Sequence, residues 1–449
     1  MKIAEIALCA VMATPVTAQQ TALDEATTAE MKSLNIPGAA VVIVRGTTPI
    51  YAKAFGIANA ETRAPVSLDT AFELASLTKT FTAMTLLTYA ERKVIDLDAP
   101  VSRYIALPGC LGSARIGQLL SNTAGIRDEP DEFGTHDDNA MAEFVRSWRE
   151  EDFCLFAPGT TFSYSNASYT LAGFVLEKIA GKAFPDLVAA TVLSPLKMTH
   201  GGFRTVTVMT YPFAVGHKMS GEVIRPLAED SRQWPAGGLF ASANDLSRFA
   251  IALLNDGMVD GQQVIAANVV RTMFTPRVEI PALRQQYGYG LFINDRVVEH
   301  AGSNPGFTAV LRMRPDEHCA VIALANSDAF LRSTAQRALE TCTGRAAPAP
   351  IVANTIVIPP QQTSDYEGTY AQPRRWTIEV VRSGDALVLK QFGKEFPLLR
   401  VAGDRLAFLP AAGARPKEIV FHRDSSGKID LLQEDLWAFK KLRASAQSP

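Results

Sequence analysis

Apolar residues form two short uninterrupted runs and several longer helical patterns along the chain. Residues 39–44 (AAVVIV) and 320–325 (AVIALA) are apolar throughout and partly β-branched, which is typical of buried strands. From Ser76 to about Arg92, by contrast, the apolar positions repeat at helical spacing. The sequence from about residue 25 to residue 345 therefore predicts a unit that combines strands with long helices.

A different pattern begins after this unit. Residues 346–363 are rich in proline and alanine and nearly free of charge, which indicates a linker. Beyond it, short alternating runs such as 377–380 and 418–421 are separated by turn signals such as Ser-Gly-Asp at 383–385. Residues 364–449 are therefore predicted to form a small antiparallel β-barrel, lipocalin-like in the loose sense. We expect it to carry none of the reacting groups and at most to narrow substrate access.

The first 18 residues are predicted to be a signal peptide. Lys2 begins a short charged region, residues 6–11 are mostly apolar, and residues 16–18 (Val-Thr-Ala) form a small-residue cleavage site. Glu5 is unusual in such a segment, and an N-terminal helix of the mature protein is the alternative. We expect export to the periplasm or the medium.

Composition and charge exclude little but favour a soluble globular protein. The 449 residues are 47% apolar and 20% charged with a net charge of −2, so nothing favours nucleic acid or an anionic membrane as partner. No segment after the signal peptide approaches the roughly 20 apolar residues of a membrane span. Neither His-Glu-x-x-His nor Cys-x-x-Cys occurs, so we expect no metal site and no cofactor. The oligomeric state is not determined by the sequence.

Candidate chemistry begins with Ser-x-x-Lys, which occurs at Ser76, Ser194 and Ser425. Only Ser76 opens a predicted helix, and residues three apart on a helix share a face, so Lys79 can reach its hydroxyl. A buried lysine can act as a base because burial disfavours its charged form. The alternative is a helix-capping serine followed by a solvated lysine.

Two further elements add polar groups. Residues 162–166 (FSYSN) contain the chain's only Tyr-x-Asn, in which Tyr164 can relay a proton and Asn166 can orient a lysine or a substrate carbonyl. Residues 299–304 (EHAGSN) include Gly302, where a substrate backbone can approach closely. Taken alone, the first element is equally compatible with a buried structural tyrosine in a turn, and a lone histidine such as His300 is more often structural.

Together and in this order, the three elements resemble the motifs of the serine β-lactamase and penicillin-binding-protein superfamily. The similarity covers residues 25 to 345, approximately, and is greatest to the class C-related branch, which includes esterases and D-aminopeptidases. In that branch the second motif is Tyr-x-Asn, and the third is Lys-Thr-Gly or His-x-Gly. Residues 119–126 and 235–238 also look similar, as scaffold and cleft wall.

The resemblance implies an α/β (α+β) fold over residues 19–345, with an antiparallel sheet flanked by helices, a helical insert, and the site between them. It also implies an oxyanion hole formed by the N–H groups of Ser76 and Ser303. The implied catalytic residues are Ser76 as nucleophile, Lys79 as its activator and Tyr164 as proton relay, and the implied substrate-binding residues are Asn166, His300, Gly302 and Ser303.

His300 stands where many members of this superfamily have a lysine. A neutral imidazole attracts a substrate carboxylate less than a permanent cation does, which favours an esterase, amidase or D-amino-acid peptidase acting on a small molecule or peptide. A β-lactamase or DD-carboxypeptidase and a non-turnover penicillin-binding sensor remain alternatives. A Ser-His-Asp hydrolase is disfavoured, since no Gly-x-Ser-x-Gly occurs.

Four cysteines follow the signal peptide, an even number that permits two disulfides in three connectivities. Cys110 and Cys154 both precede segments near the expected helical insert. Cys319 opens a predicted strand, and Cys342 ends a helix expected to pack on the same sheet. We therefore expect the pairs Cys110–Cys154 and Cys319–Cys342.

Overall fold

The structure is a computed structural model that describes residues 15–129, 134–225, 230–346, 364–373, 375–411 and 414–442. Most of the predicted signal peptide and nearly all of the predicted linker (346–363) therefore lie outside the described residues. The predicted cleavage site at 16–18 lies in the first turn of a helix that continues to Ser33.

Helices and strands alternate before the linker, and only strands follow it among the described residues. The helices α1 to α13 are Pro15–Ser33, Thr78–Glu91, Gly109–Ser113, Ile116–Leu120, Ala140–Arg146, Glu150–Phe153, Asn166–Ala180, Phe184–Val188, Thr205–Val208, Trp234–Gly237, Ala243–Leu254, Ala267–Phe274 and Arg332–Thr343. The strands β1 to β13 are Gly38–Arg45, Thr48–Asn59, Ala64–Pro65, Phe72–Glu73, Phe240–Ala241, Met258–Val259, Gln262–Gln263, Val278–Ile280, Gln285–Tyr287, Phe292–Asn294, Val297–Asn304, Phe307–Arg314 and Cys319–Ala325.

The central sheet has the order β3-β2-β1-β13-β12-β11-β10-β9-β8, and all neighbouring strands are antiparallel. The two apolar runs of the sequence are its central pair, with Val42 opposite Ile322. Val41 and Ile43 of β1 pack in the core formed with α1 and α13, whereas Val42 packs in the core on the opposite face, where α11 contacts β1 and β13. The runs are continuously apolar because helices cover both faces of the sheet.

The helical part of the unit is built around α2. Residues Thr78 to Leu87 are all buried, so this part of the helix has no solvated face, which explains why its sequence is almost free of charge. Lys79 is the one charged residue in this buried stretch, and it is fully buried, whereas Glu91 lies at the exposed end of the helix. Helix α2 packs against α7, α10 and α12, which brings the start of α7 close to that lysine.

The residues after the linker form a nearly closed antiparallel barrel, as the sequence predicts. The strands β14 to β22 are Gly368–Ala371, Thr377–Ser383, Ala386–Gln391, Lys394–Pro397, Leu399–Ala402, Arg405–Phe408, Lys417–Arg423, Ile429–Glu434 and Trp437–Lys441. Their order in the sheet is β17-β16-β15-β14-β22-β21-β20-β19-β18, and side chains such as Ile378 and Phe439 alternate into the core of the barrel.

Among the described residues, two disulfides tie together the unit that precedes the linker, and they are the two pairs expected from the sequence. Cys110 of α3 is bonded to Cys154, which directly follows α6. Cys319, the first residue of β13, is bonded to Cys342 of α13, so this bond fastens a helix to the central sheet. Within the described ranges, every helix is too short or too polar to cross a lipid bilayer.

Candidate active site

Ser76 lies in a tight 3-10 turn, Ala75–Leu77, directly before α2. The sequence predicts that α2 itself starts at Ser76. The difference arises at Ala75, whose φ of 45° is in the left-handed region that a non-glycine residue rarely adopts. The turn is fixed by a hydrogen bond from the Leu74 N–H to the Leu239 carbonyl (2.8 Å). Ser76 remains partly exposed, whereas Ala75 and Leu77 are buried.

Lys79 lies one turn further on and points its amine at Ser76. Its Nζ is 3.1 Å from the Ser76 Oγ, 2.6 Å from the Asn166 Oδ1 and 2.8 Å from the carbonyl oxygen of Ala236. Burial of an ammonium group is costly unless acceptors replace water, and these three acceptors match its three protons. A neutral amine retains two donors for Asn166 and Ala236 and turns its lone pair toward Ser76. The same geometry therefore suits both protonation states.

Tyr164, two residues before α7, and Asn166, at the start of α7, complete the group. The ring centroid of Tyr164 is 4.7 Å from the Lys79 Nζ, and Asn166 is the first residue of α7, which Ser165 caps by accepting the Ser168 N–H. Tyr164 and Asn166 are each 7% exposed. The structure thus brings Ser76, Lys79, Tyr164 and Asn166 together from segments about 90 residues apart in sequence.

Asn122 fixes the segment that carries Tyr164. Its carbonyl accepts the Ser163 N–H (2.9 Å), and its side-chain oxygen accepts the Ser165 N–H (3.1 Å). Asn122 has a φ of 56°, a conformation that asparagine tolerates better than most residues. From the sequence, residues 119–126 are expected to be only scaffold and cleft wall, although an asparagine in a Ser-Asn-Thr-Ala-Gly turn was an available signal.

Gly302 of β11 packs against the turn that carries Ser76. A Cβ atom at this position would be 2.0 Å from the Leu74 carbonyl oxygen and 2.8 Å from the Ser76 nitrogen. Only glycine allows this approach, which places the end of β11 beside the Ser76 N–H. Ser303, the next residue, is exposed.

His300, also in β11, is buried and only 1% exposed. Burial, together with the charge of Lys79, lowers the pKa of His300 to about 3, so the ring is neutral at pH 7. Its Nδ1 is 2.8 Å from the Ala301 carbonyl, which can only accept, so Nδ1 carries the proton. Its Nε2 then accepts from the Tyr287 hydroxyl at 3.3 Å. The sequence predicts that His300 contacts the substrate. In the structure its ring lies beside those of Tyr164 and Tyr287, with centroids 6.5 and 6.3 Å away.

The other two Ser-x-x-Lys sequences lie elsewhere. Lys197 is on the surface, paired with Asp260 at 3.3 Å. Ser425 and Lys428 belong to an exposed turn in which Asp424 accepts the Lys428 N–H. Among the residues that orient Lys79, the Ala236 carbonyl could not be predicted, since a backbone atom leaves no trace in side-chain patterns.

The chain matches one protein-family model and is similar to several known proteins. A family model described as Beta-lactamase matches residues 23–341. Protein flp of Staphylococcus aureus (strain N315) is 24% identical over 320 residues, which are 68% of this chain and 63% of that protein. A D-aminopeptidase of Cereibacter sphaeroides is 26% identical over 343 residues, 73% of this chain and 64% of that protein. The chain thus spans just under two thirds of the length of both relatives.

Among solved structures, one of SurE with D-Leu is similar over nearly the whole chain. It covers 95% of this chain and 100% of its own, with a TM-score of 0.75 and 25% identity. Because this match extends past residue 341, it includes the barrel as well as the part that the family model matches.

Proposed function

Because the chain belongs to the beta-lactamase family, we propose that it is an exported serine hydrolase that forms an acyl-enzyme on Ser76. The observation that carries this proposal is the buried amine of Lys79, which contacts the Ser76 Oγ at 3.1 Å while Asn166 and the Ala236 carbonyl orient it. A serine hydroxyl is a weak nucleophile until a neighbouring base accepts its proton. The Lys79 side chain is titratable and lies within hydrogen-bond distance of this hydroxyl.

In the proposed acylation step, the Ser76 oxygen attacks the carbonyl carbon of an ester or amide. Its proton passes to the Lys79 amine. Tyr164, whose ring lies against that amine, gives its phenolic proton to the leaving group and is reprotonated by Lys79, so both side chains return to their starting states. The bond to the leaving group breaks, and the acyl group remains on Ser76. Water then hydrolyses this ester and restores the free hydroxyl.

Negative charge develops on the substrate carbonyl oxygen during both steps. We assign its stabilisation to the Ser76 N–H, at the start of the turn leading into α2, and to the N–H of Ser303 at the end of β11. Gly302 supports this assignment because its missing side chain brings β11 against the Ser76 turn. Each such donor contributes roughly 3 kcal/mol to the transition state.

For the substrate we propose a peptide or amide that contains a D-amino acid. Two comparisons support this class: one relative is a D-aminopeptidase, and the similar SurE structure contains D-Leu. The neutral state of His300 also favours this class over a β-lactam or DD-peptide, since it offers a substrate carboxylate no cation. Export is supported by the two disulfides, which persist in oxidising compartments.

Covalent labelling tests the proposal. A fluorophosphonate probe should modify the purified protein once, and peptide mapping should locate the adduct at Ser76. Ser76→Ala should remove the adduct, while Ser194→Ala, which alters the second Ser-x-x-Lys, should not. Hydrolysis of D-alanine p-nitroanilide in preference to nitrocefin and p-nitrophenyl butyrate would support the substrate class. Labelling of Ser76 without turnover of any substrate would instead indicate a sensor.

A further inference from the structure

The barrel contacts the segment that carries Tyr164. Strands β21 and β22 form a hairpin with the turn residues Asp435 and Leu436, and Leu436 packs against the cluster that contains Phe162 and Tyr164. Three hydrogen bonds join the hairpin to this segment: Tyr164 N–H to the Leu436 carbonyl (2.7 Å), Ala438 N–H to the Ser163 Oγ (3.1 Å) and Gln433 Nε2 to the Phe162 carbonyl (3.2 Å). The barrel thus supplies the acceptor for the backbone N–H of the proposed relay residue.

A second connection runs through Asp128, which is 1% exposed. Its Oδ1 accepts the backbone N–H of Asn166 at 2.8 Å. Its Oδ2 accepts the indole N–H of Trp437 at 3.0 Å and the guanidinium of Arg375, both from the barrel. Because the Asn166 side chain contacts the Lys79 amine at 2.6 Å, two barrel residues are connected to the proposed base through Asp128 and Asn166.

The hairpin is itself held rigidly. The buried carboxylate of Glu434 accepts from Gln391 (2.7 Å) and Lys417 (2.9 Å), and Lys417 also pairs with Asp435 at 2.7 Å. Asp435 has a φ of 49°, which suits a two-residue hairpin turn. A turn fixed on both sides presents Leu436 and its neighbours in one arrangement.

We propose that this hairpin completes the active site, and that Asp128, Arg375 and Trp437 are positioning residues for Tyr164 and Asn166. The inference rests on the acylation of Ser76 proposed above. The alternative is that these contacts only stabilise the fold. This explanation is weaker, because a buried ion pair usually adds little stability over an apolar pair of similar volume. The polar groups instead determine where Asn166 and the segment before it lie.

The first test removes one hydrogen bond without removing a ring. Trp437→Phe in the full chain deletes the donor to Asp128, and Trp376→Phe is the matched control. Trp376 lies in the same barrel, 5.4 Å from Trp437 between ring centroids, and its buried indole N–H has no hydrogen-bond acceptor among the described residues. We expect the maximal rate of fluorophosphonate labelling to fall about tenfold in Trp437→Phe and to stay at the wild-type value in Trp376→Phe. The probe concentration for half-maximal rate should not change in either variant.

The second test changes the cation. Arg375→Gln should slow labelling by at least the same factor, whereas Arg375→Lys, which retains a charge beside Asp128, should recover most of the rate. Equal labelling rates in wild type, Trp437→Phe and Arg375→Gln, with all three folded by circular dichroism, would overturn the inference alone. A wild-type protein that is never labelled at Ser76 would overturn the proposed function and the inference with it. If Trp437→Phe did not fold, the Arg375 pair would decide the question.

Discussion

Replacing Gly302 with alanine is the most direct test of how β11 and the Ser76 turn are arranged. The added Cβ would be 2.0 Å from the Leu74 carbonyl oxygen and 2.9 Å from the Leu77 nitrogen, both backbone atoms. Ordinary van der Waals contact begins at 3.4 Å, so one of the two segments must move by about 1.4 Å, the difference between 3.4 and 2.0. Neither can rotate away, because each is paired or hydrogen-bonded on its other side.

A displacement of this size should affect the reaction more than stability. We expect the rate of labelling at Ser76 to fall about 100-fold, since a misplacement of about 1 Å between reacting groups has that effect. The free energy of unfolding should decrease by about 1–3 kcal/mol, as for other overpacked sites. Labelling kinetics with a fluorophosphonate and urea unfolding measure the two quantities separately.

Gly237 provides the stability control for this variant. A Cβ there would come no closer than 3.8 Å to any neighbour, and its backbone is not in the left-handed region, so Gly237→Ala should leave unfolding nearly unchanged. Wild-type labelling kinetics in Gly302→Ala would show that the strand and the turn are not coupled. The assignment of Ser303 to the oxyanion hole would then lose its support.

Three further predictions concern the base, the histidine and one disulfide. Lys79→Ala should slow labelling by about 10²–10⁴-fold and Tyr164→Phe by less, with the fold retained; near-normal turnover of Lys79→Ala at pH 7 would show that another group is the base. His300 has a folded pKa of about 3, whereas an unfolded histidine titrates near 6.5, so its contribution to stability is complete above pH 6.5 and is lost as the pH falls toward 3. His300→Gln should therefore make the loss in free energy of unfolding between pH 7 and pH 5 smaller by about 2 kcal/mol in urea titrations, and equal losses would contradict the neutral, buried ring. Replacing Cys319 and Cys342 together with serine should destabilise the chain by roughly 3 kcal/mol in the same assay, and unchanged stability would argue against the bond.

The sequence predicted the strands and the side chains that gather around Ser76 better than the residues that hold them in place. The buried runs at 39–44 and 320–325 could be recognised because both faces of those strands are covered, and Ser76 and Lys79 because helical spacing puts them on one face. Tyr164 became a candidate only in combination with them. These signals are local, or depend on the order of motifs along the chain.

The residues that hold these side chains in place could not be recognised, because their roles depend on contacts between distant segments. Asp128 has no local feature that distinguishes it from a solvated acid, and its role depends on Arg375 and Trp437, more than 240 residues away. For the same reason the barrel was expected only to narrow access to the cleft. The burial of His300 could likewise not be predicted from the sequence, since it depends on how β11 packs against its neighbours.

The contact between the hairpin and the Tyr164 segment also affects when, during synthesis, the site around Ser76 is complete. Leu436 and Trp437 follow Tyr164 by more than 270 residues, and ribosomes add roughly 5–20 residues per second. For some tens of seconds after Tyr164 is synthesised, its N–H and the carboxylate of Asp128 therefore lack the partners that orient them in the finished protein. In a nascent chain that has already folded around Ser76, the Ser76 hydroxyl would therefore react only slowly with acylating compounds. Reactivity would appear only after the barrel has been synthesised and docked, which makes the ability to acylate Ser76 a late event of maturation.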